Sequence, residues 1–347
     1  MPKRSEPAPD PETARAGGLA LPRVVVLGSA NIDLVARCRA LPGPGETVLA
    51  TRLDALPGGK GANQAVAAAR SGMAECAFLG AVGRDEHGAR LREALRADGV
   101  DVSLLREVAG VPTGIALIAV DAQGANSIVV VPGANGTLSE LTAAELDAIR
   151  GGAVVLAQLE VPAETVRAAF EAVHERGTRE AGADATALTV LNAAPARPLD
   201  AALLAVTDLL VVNEIEAAML TGSRPGPARD EIAAPWDLCA GLLELAPRVV
   251  LTLGEQGACF ADRAGTRHQS PAAPARAVDT TAAGDTFAGV FAAALAARRP
   301  AVVALRYACA AASLSVEMPG AIASIPTAAR TAERYREAYG AATPAVR

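Results

Sequence analysis

Six short stretches of consecutive apolar residues constrain this chain more than any other feature. They lie at 23–28, 77–79, 153–156, 188–191, 209–212 and 248–252. A strand with one face in water alternates apolar and polar residues. A strand apolar at every position is covered on both faces, as in parallel sheets flanked by helices. Helix-like stretches at 61–70, 163–175 and 236–245 separate the runs. The alternation therefore predicts an α/β protein whose sheet is sandwiched between helical layers. At 347 residues, 51% of them hydrophobic, the chain can bury the core such a sandwich needs.

Two stretches depart from this rhythm. Residues 46–56 and 113–131 look extended with no helix between them. In the second, the turn Asp121-Ala122-Gln123-Gly124 separates 114–120 from 126–131, which predicts an antiparallel hairpin. Such a hairpin either closes over a ligand site as a lid or extends the sheet edge. Toward the C-terminus, 286–297 and 301–316 read as alanine-rich helices divided by Arg298-Arg299-Pro300, and a charged, exposed helix follows Thr327. Residues 1–20 are expected to form a disordered tail, and 177–187 a flexible loop before a strand.

Several function classes fall away on composition. Thirty-two Lys and Arg against 38 Asp and Glu give a net charge of −6, with no basic face for nucleic acid or a membrane surface. Cys38, Cys76, Cys239, Cys259 and Cys309 are scattered without a C-x-x-C pair, against zinc and in favour of a reducing, cytoplasmic compartment. His87, His174 and His268 sit among polar or turn residues and are expected to be solvated. The longest uncharged apolar run is about 12 residues, whereas a bilayer requires roughly 20.

The chemistry-bearing residues gather in a few segments. In Val278-Asp279-Thr280-Thr281-Ala282-Ala283-Gly284-Asp285-Thr286-Phe287, small residues lead directly into a helix. The amides of Ala282, Ala283, Gly284 and Asp285 would be free donors at its N-terminus, an anion site reinforced by the helix dipole. Asp285 is then either a base beside that site or simply a capping residue. Leu56-Pro57-Gly58-Gly59-Lys60-Gly61-Ala62-Asn63-Gln64-Ala65 turns sharply into a helix, with Lys60 and Asn63 as donors suited to sugar hydroxyls. It lacks the P-loop spacing. Asn31 and Asp33 follow the first strand and could bind a diol or merely shape a turn. Gln158-Leu159-Glu160, Asn213-Glu214-Ile215-Glu216 and Thr252-Leu253-Gly254-Glu255-Gln256-Gly257 each follow another apolar run. Carboxylates and amides so placed can hold a hydrated Mg²⁺, and the last segment would turn tightly beside a nucleotide.

Taken together, and in this order from about residue 23 to 327, the segments resemble the ribokinase-like (PfkB-type) carbohydrate kinases. The most specific are 58–67, Asn192-Ala193-Ala194-Pro195-Ala196-Arg197 and 278–287. The resemblance implies a three-layer α/β/α sandwich with a mostly parallel central sheet and a small β-sheet lid, built from about 33–57 and 112–132 of a 21–330 kinase domain. Residues 331–347 would form a terminal helix or tail. It implies transfer of the ATP γ-phosphate to the 5-hydroxyl of D-ribose, with Asp285 as general base and Ala282, Ala283 and Gly284 as anion hole. Asn31, Asp33, Gly59, Lys60, Gly61, Ala62, Asn63, Glu160 and Asp285 would hold the sugar. Asn213, Thr252, Leu253, Gly254, Glu255, Gln256, Gly257, Gly284, Asp285 and Cys309 would lie at the nucleotide, with Glu216 associated with Mg²⁺.

The same resemblance places an activating K⁺ at Asp279, Thr281, Ser315, Met318, Gly320 and Ser324, most of them acting through carbonyls. It further implies a cytoplasmic homodimer paired lid to lid. Cys309 stands where relatives often carry His or Asn, and Met318-Pro319 replaces a more polar loop. Sibling activities on deoxyribose, a ketose or a nucleoside fit the same segments, as would a sugar-binding regulator without catalysis. Aside from ATP, Mg²⁺, K⁺, a sugar and a second copy of the chain, no partner is implied.

Overall fold

The computed structural model describes residues 20–179, 187–223 and 234–340. Residues 1–19 of the expected tail, most of the 177–187 segment and residues 341–347 lie outside them. The chain opens with β1 (Arg23–Leu27), β2 (Asn31–Arg37), β3 (Arg52–Gly58) and α1 (Lys60–Arg70). Next come β4 (Glu75–Gly83), α2 (Glu86–Ala97), β5 (Leu105–Val108) and the hairpin β6 (Gly114–Val120) and β7 (Asn126–Val131). The middle comprises α3 (Ala143–Gly151), β8 (Val154–Ala157), α4 (Ala163–Arg179), β9 (Leu188–Asn192), α5 (Ala201–Ala205), β10 (Leu209–Asn213) and α6 (Glu214–Thr221). It ends with α7 (Pro235–Leu243), β11 (Arg248–Thr252), β12 (Ala258–Asp262), β13 (Arg267–Ser270), α8 (Ala283–Ala296), α9 (Ala301–Ser315) and α10 (Ala328–Tyr339).

Nine strands form one sheet in the order β13-β12-β11-β10-β9-β8-β1-β4-β5. Pairing is parallel from β11 through β5, and only the β11–β12 and β12–β13 pairs, at one edge, are antiparallel. The pleat explains why the runs are uniformly apolar. Val24 and Val26 of β1, Val154 and Leu156 of β8, and Leu209 and Val211 of β10 point into a core shared with α1, α8 and α9. Val25, Leu27, Val155, Ala157, Leu210 and Val212 point into the opposite core, with Phe170 of α4 and Leu238 and Leu242 of α7. Alternate residues thus serve alternate layers.

A smaller sheet, β3-β2-β6-β7, projects from this body. β2 pairs antiparallel with β3 and parallel with β6, and β6 pairs antiparallel with β7. Asn31 and Asp33, read above as either diol ligands or turn residues, are the start of β2, the strand that leads from body to lid. Ile32, fully buried between them, anchors that strand to the core. The terminal helix also differs from expectation. It is docked rather than free, because Tyr335 of α10 stacks on Tyr307 of α9 at 4.2 Å and Arg334 bonds both carboxylate oxygens of Glu317.

Two contacts between backbones bring the site together. Gly28 and Gly61 meet where the end of β1 passes α1; a Cβ on Gly61 would lie 2.6 Å from Gly28 C and Ser29 N. Deeper in, Gly289 of α8 packs on α1, where a Cβ would fall 2.3 Å from Gln64 O. In an open helix Gly→Ala gains about 1 kcal/mol. Here the reverse sign is expected: Gly289→Ala overpacks the α1–α8 contact at a cost of about 1–3 kcal/mol. The denaturant midpoint should fall with an unchanged m value.

Candidate active site

The carboxyl ends of the parallel strands converge on the N-termini of α1 and α8. β1 delivers Ser29, β8 Gln158 and Glu160, β9 Asn192, β10 Asn213 with Glu216 behind it, and β11 Thr252. Ligands collect at this edge in open α/β sheets.

The two helix N-termini are chemically unlike. At α1 the first amides are already bonded: Lys60 N–H donates to Glu160 Oε2 (3.2 Å), Gly61 N–H to Ser29 Oγ (3.4 Å) and Ala62 N–H to Ser29 O (2.9 Å). At α8 the chain enters through Ala282 in the left-handed region (φ 60°). Thr286 N–H donates to Ala282 O (2.8 Å) and Ala283 N–H to Thr280 O (3.3 Å). Of the four amides expected as donors, Ala283 is therefore engaged in a turn. Among the described residues no acceptor reaches the amides of Gly284 and Asp285. A Cβ on Gly284 would meet nothing within 4 Å, so the mouth of this helix is open. Of the two, α8 is the one that offers an anion both a dipole and vacant donors.

Asp285, 7% exposed, stands at this mouth. Asn63 Nδ2 donates to its Oδ2 (2.9 Å) and Gln64 Nε2 to its Oδ1 (3.0 Å). It is far more than a helix cap, since its carboxylate bonds residues 222 and 221 positions away. Lys60 adds positive charge: Asp285, Glu160 and Glu216 hold its ammonium above the usual range despite burial.

The expected sugar residues assemble beside it. Asn31 accepts from Asn135 Nδ2 through Oδ1 (2.8 Å), which leaves its own Nδ2 for a ligand. Asn63 Oδ1 is buried without a partner. Glu160 is fixed by Ser29 Oγ (2.5 Å) as well as Lys60 N–H. Among the described residues no donor bonds Asp33, and burial, with Glu160 and Asp285 nearby, pushes its carboxyl up to about 7. Gly58 makes room for that carboxylate, because a Cβ there would lie 2.1 Å from Oδ2. An orphaned acceptor and an unpartnered carboxylate, both buried, are what hydroxyl groups of a ligand would satisfy.

The nucleotide candidates lie farther along the same edge. Thr252 Oγ1 donates to Val212 O (3.3 Å). Gly254 and Gly257 both have positive φ (56° and 94°), and a Cβ on Gly257 would lie 2.0 Å from Ser270 O. Leu253 is buried and Glu255 and Gln256 are exposed. Cys309 is buried, and burial pushes its thiol up to about 12, so it presents a neutral group. Asn213 and Glu216 form a reciprocal cap of α6: Asn213 Oδ1 accepts from Glu216 N–H (2.8 Å), and Glu216 Oε2 from Asn213 N–H (2.9 Å). This cap accounts for the N-x-x-E spacing and leaves Glu216 Oε1 available.

For the cation candidates, Asp279 joins two loops. It accepts from Thr281 N–H and Gly320 N–H, both at 2.9 Å, and Val316 O receives the amides of Val278 and Asp279. The segment before α8 is thereby brought beside Ser315, Met318 and Gly320, while Ser324 bonds Ala321 O (2.8 Å) one turn on. No group of three or more His, Cys, Asp or Glu side chains suited to a metal occurs among the described residues. The three histidines play no part: His174 bonds Val206 O and His268 stacks on Phe260, less solvated than expected.

Sequence reading gave no role to Gln64, Asn192, Ser29 or Asn135, and set Gln158 only among the groups that could hold Mg²⁺. Gln64 and Gln158 are completely buried, and an uncharged polar residue among Ala62, Ala65 and Val66 on a buried helix face was a usable signal. Asn135, in a short turn after the hairpin, carries none.

The sequence profile of the pfkB family carbohydrate kinases matches residues 21–328. The chain belongs to this family. Among pfkB relatives, ribokinase from Bacillus subtilis is 39% identical over 307 residues, covering 88% of this chain and 96% of its own length. Ribokinase from Schizosaccharomyces pombe is 36% identical over 312 residues, 88% and 95% of the two chains. The solved structure of Arabidopsis thaliana ribokinase complexed with ribose and ATP superposes with a TM-score of 0.81 at 34% identity, covering 92% of this chain and 99% of that one.

The raised Asp33 carboxyl has a stability consequence. Its folded value lies above the unfolded one, so the native state binds the extra proton between about pH 4 and 7 and loses stability as pH rises through that window. Asp33→Asn should raise the Tm of the ligand-free protein at pH 8 more than at pH 5. Equal Tm shifts at the two pH values would contradict this assignment.

Proposed function

We propose that this chain transfers the γ-phosphoryl group of ATP to the 5-hydroxyl of D-ribose. The observation that carries the reading is Asp285, a buried carboxylate held by two side-chain amides and set against the vacant amides of α8. The ribokinase relatives, and the family member solved with ribose and ATP, support the substrate pair.

In this mechanism Asp285 takes the proton of the attacking hydroxyl, and the amides of Gly284 and Asp285 stabilise charge on the migrating phosphoryl group. Asn31, Asp33, Asn63 and Glu160 orient the sugar, and Lys60 offsets the crowded carboxylates. Mg²⁺ keeps several waters and binds chiefly through phosphates, so one available oxygen of Glu216 suits its hydration shell, and the ion would supply charge neutralisation between the phosphates. The oxygen-rich loops around Asp279, Thr281, Ser315, Met318, Gly320 and Ser324 suit a hard monovalent cation such as K⁺, which would steady the segment that carries the anion site. The β3-β2-β6-β7 sheet covers the site and excludes water.

Asp285→Asn should bind ribose and ATP normally but lower kcat by roughly 10²–10⁴. Coupled ADP release over ribose, deoxyribose, a ketose and a nucleoside checks both base and acceptor. Preference for another acceptor would revise the substrate, and binding without transfer would leave a regulator.

The reading extends to a cytoplasmic homodimer. Five free, buried cysteines suit a reducing compartment. No helix among the described residues is long and apolar enough to cross a membrane. Leu117, Ile128 and Val130 are 47%, 53% and 43% exposed on the lid, and β7 is an edge strand exposed throughout. An apolar sheet edge of this kind is a pairing surface. Light scattering should give a dimer for the wild type and a monomer for Ile128→Lys.

A further inference from the structure

Behind Asp285 lies a chain of buried amides with a single consistent polarity. Gln158 Nε2 donates to Gln64 Oε1 (2.6 Å). Gln64 Nε2 then donates twice, to Asn192 Oδ1 (2.9 Å) and to Asp285 Oδ1 (3.0 Å). Asn192 Nδ2 donates to Val211 O (3.1 Å). An amide nitrogen has two hydrogens, and both of Gln64 are used. Asp285 and Asn192 also forbid the reversed amide. With Gln64 turned over, its carbonyl would face the Asp285 carboxylate and Asn192 Oδ1, acceptor against acceptor, and its Nε2 would face the Gln158 donor. Asn192 in turn cannot reverse, because Val211 O requires a donor. Gln64 and Gln158 are wholly inaccessible to solvent, so no water can substitute for a lost partner.

We propose that Gln64 is a positioning residue for the base: Gln158 and Asn192 lock its amide so that it permanently occupies Asp285 Oδ1. This rests on the phosphotransfer reading above. The consequence is a division of labour within one carboxylate. Oδ1 is fixed to the protein interior, and the other oxygen, shared with Asn63, is left to meet the substrate hydroxyl. The charged groups around Asp285 are Lys60 from α1, Asp33 from β2, Glu216 from α6 and, beyond Asp33, Glu160 after β8. None of them touches Gln64, so its removal leaves their field in place.

The test compares Gln64→Leu, which removes the donor, with Gln158→Met, which keeps Gln64 but removes the donor to its Oε1. For Gln64→Leu the expected result is a kcat at least tenfold lower at pH 7 with KM for ribose and ATP within about threefold. Gln158→Met should lower kcat the same way by a smaller factor, and it decides the matter if Gln64→Leu does not fold. A kcat unchanged in a folded variant, or a loss confined to KM or to Tm, overturns the proposal. The ¹³C chemical shift of the Asp285 carboxyl, read at pH 7 without substrate in wild type and variants, separates the two claims. It should change in Gln64→Leu whether or not ribose is the acceptor; an absence of transfer to any sugar in the wild type would sink only the functional reading.

Discussion

The structure depends on the contact between α1 and α8. These two helices, more than 200 residues apart in sequence, bring together the carboxylate of one and the paired amides of the other. Their backbones approach closely because Gly289 has no side chain to hold them apart, facing Gln64 O, Ala67 Cβ and Ala68 N of α1. A bulkier seam would separate Asp285 from Asn63 and Gln64 and leave a charge buried without donors, which is costly in a dry interior. Packing and chemistry are therefore one constraint here.

The same pair of helices shows how local bonding assigns function to equivalent elements. Both begin at the carboxyl edge of the sheet, and both present an N-terminal dipole. α1 gives its first amides to Ser29 and Glu160, which locks the glycine-rich turn and orients Glu160. α8 enters through a left-handed alanine and keeps two amides vacant. The glycine-rich segment, which looks more like a phosphate loop in sequence, is the one whose amides are already engaged.

Much of this was legible in the chain, for definite reasons. Uniformly apolar runs announce a doubly covered sheet, since no other environment tolerates Val24 through Leu27 without a polar break. Asp285, Asn63 and Glu160 stood out because each interrupts small or apolar residues at a strand or helix end. Three things were not legible. β2 was concealed because Asn31 and Asp33 are turn formers locally, and only pairing with β3 and β6 makes them strand residues. The docking of α10 rests on tyrosines brought together by tertiary packing. Gln64 escaped notice because its role depends on Gln158 and Asn192, each 94 and 128 residues away.

β2 is continuous with both body and lid, and that continuity has a mechanical outcome. Asp33 rides on a strand whose far end belongs to the covering sheet, whereas Asp285 is fixed to the rigid seam of helices. The two carboxylates are therefore held by different parts of the molecule, and any displacement of the lid sheet changes the gap between them.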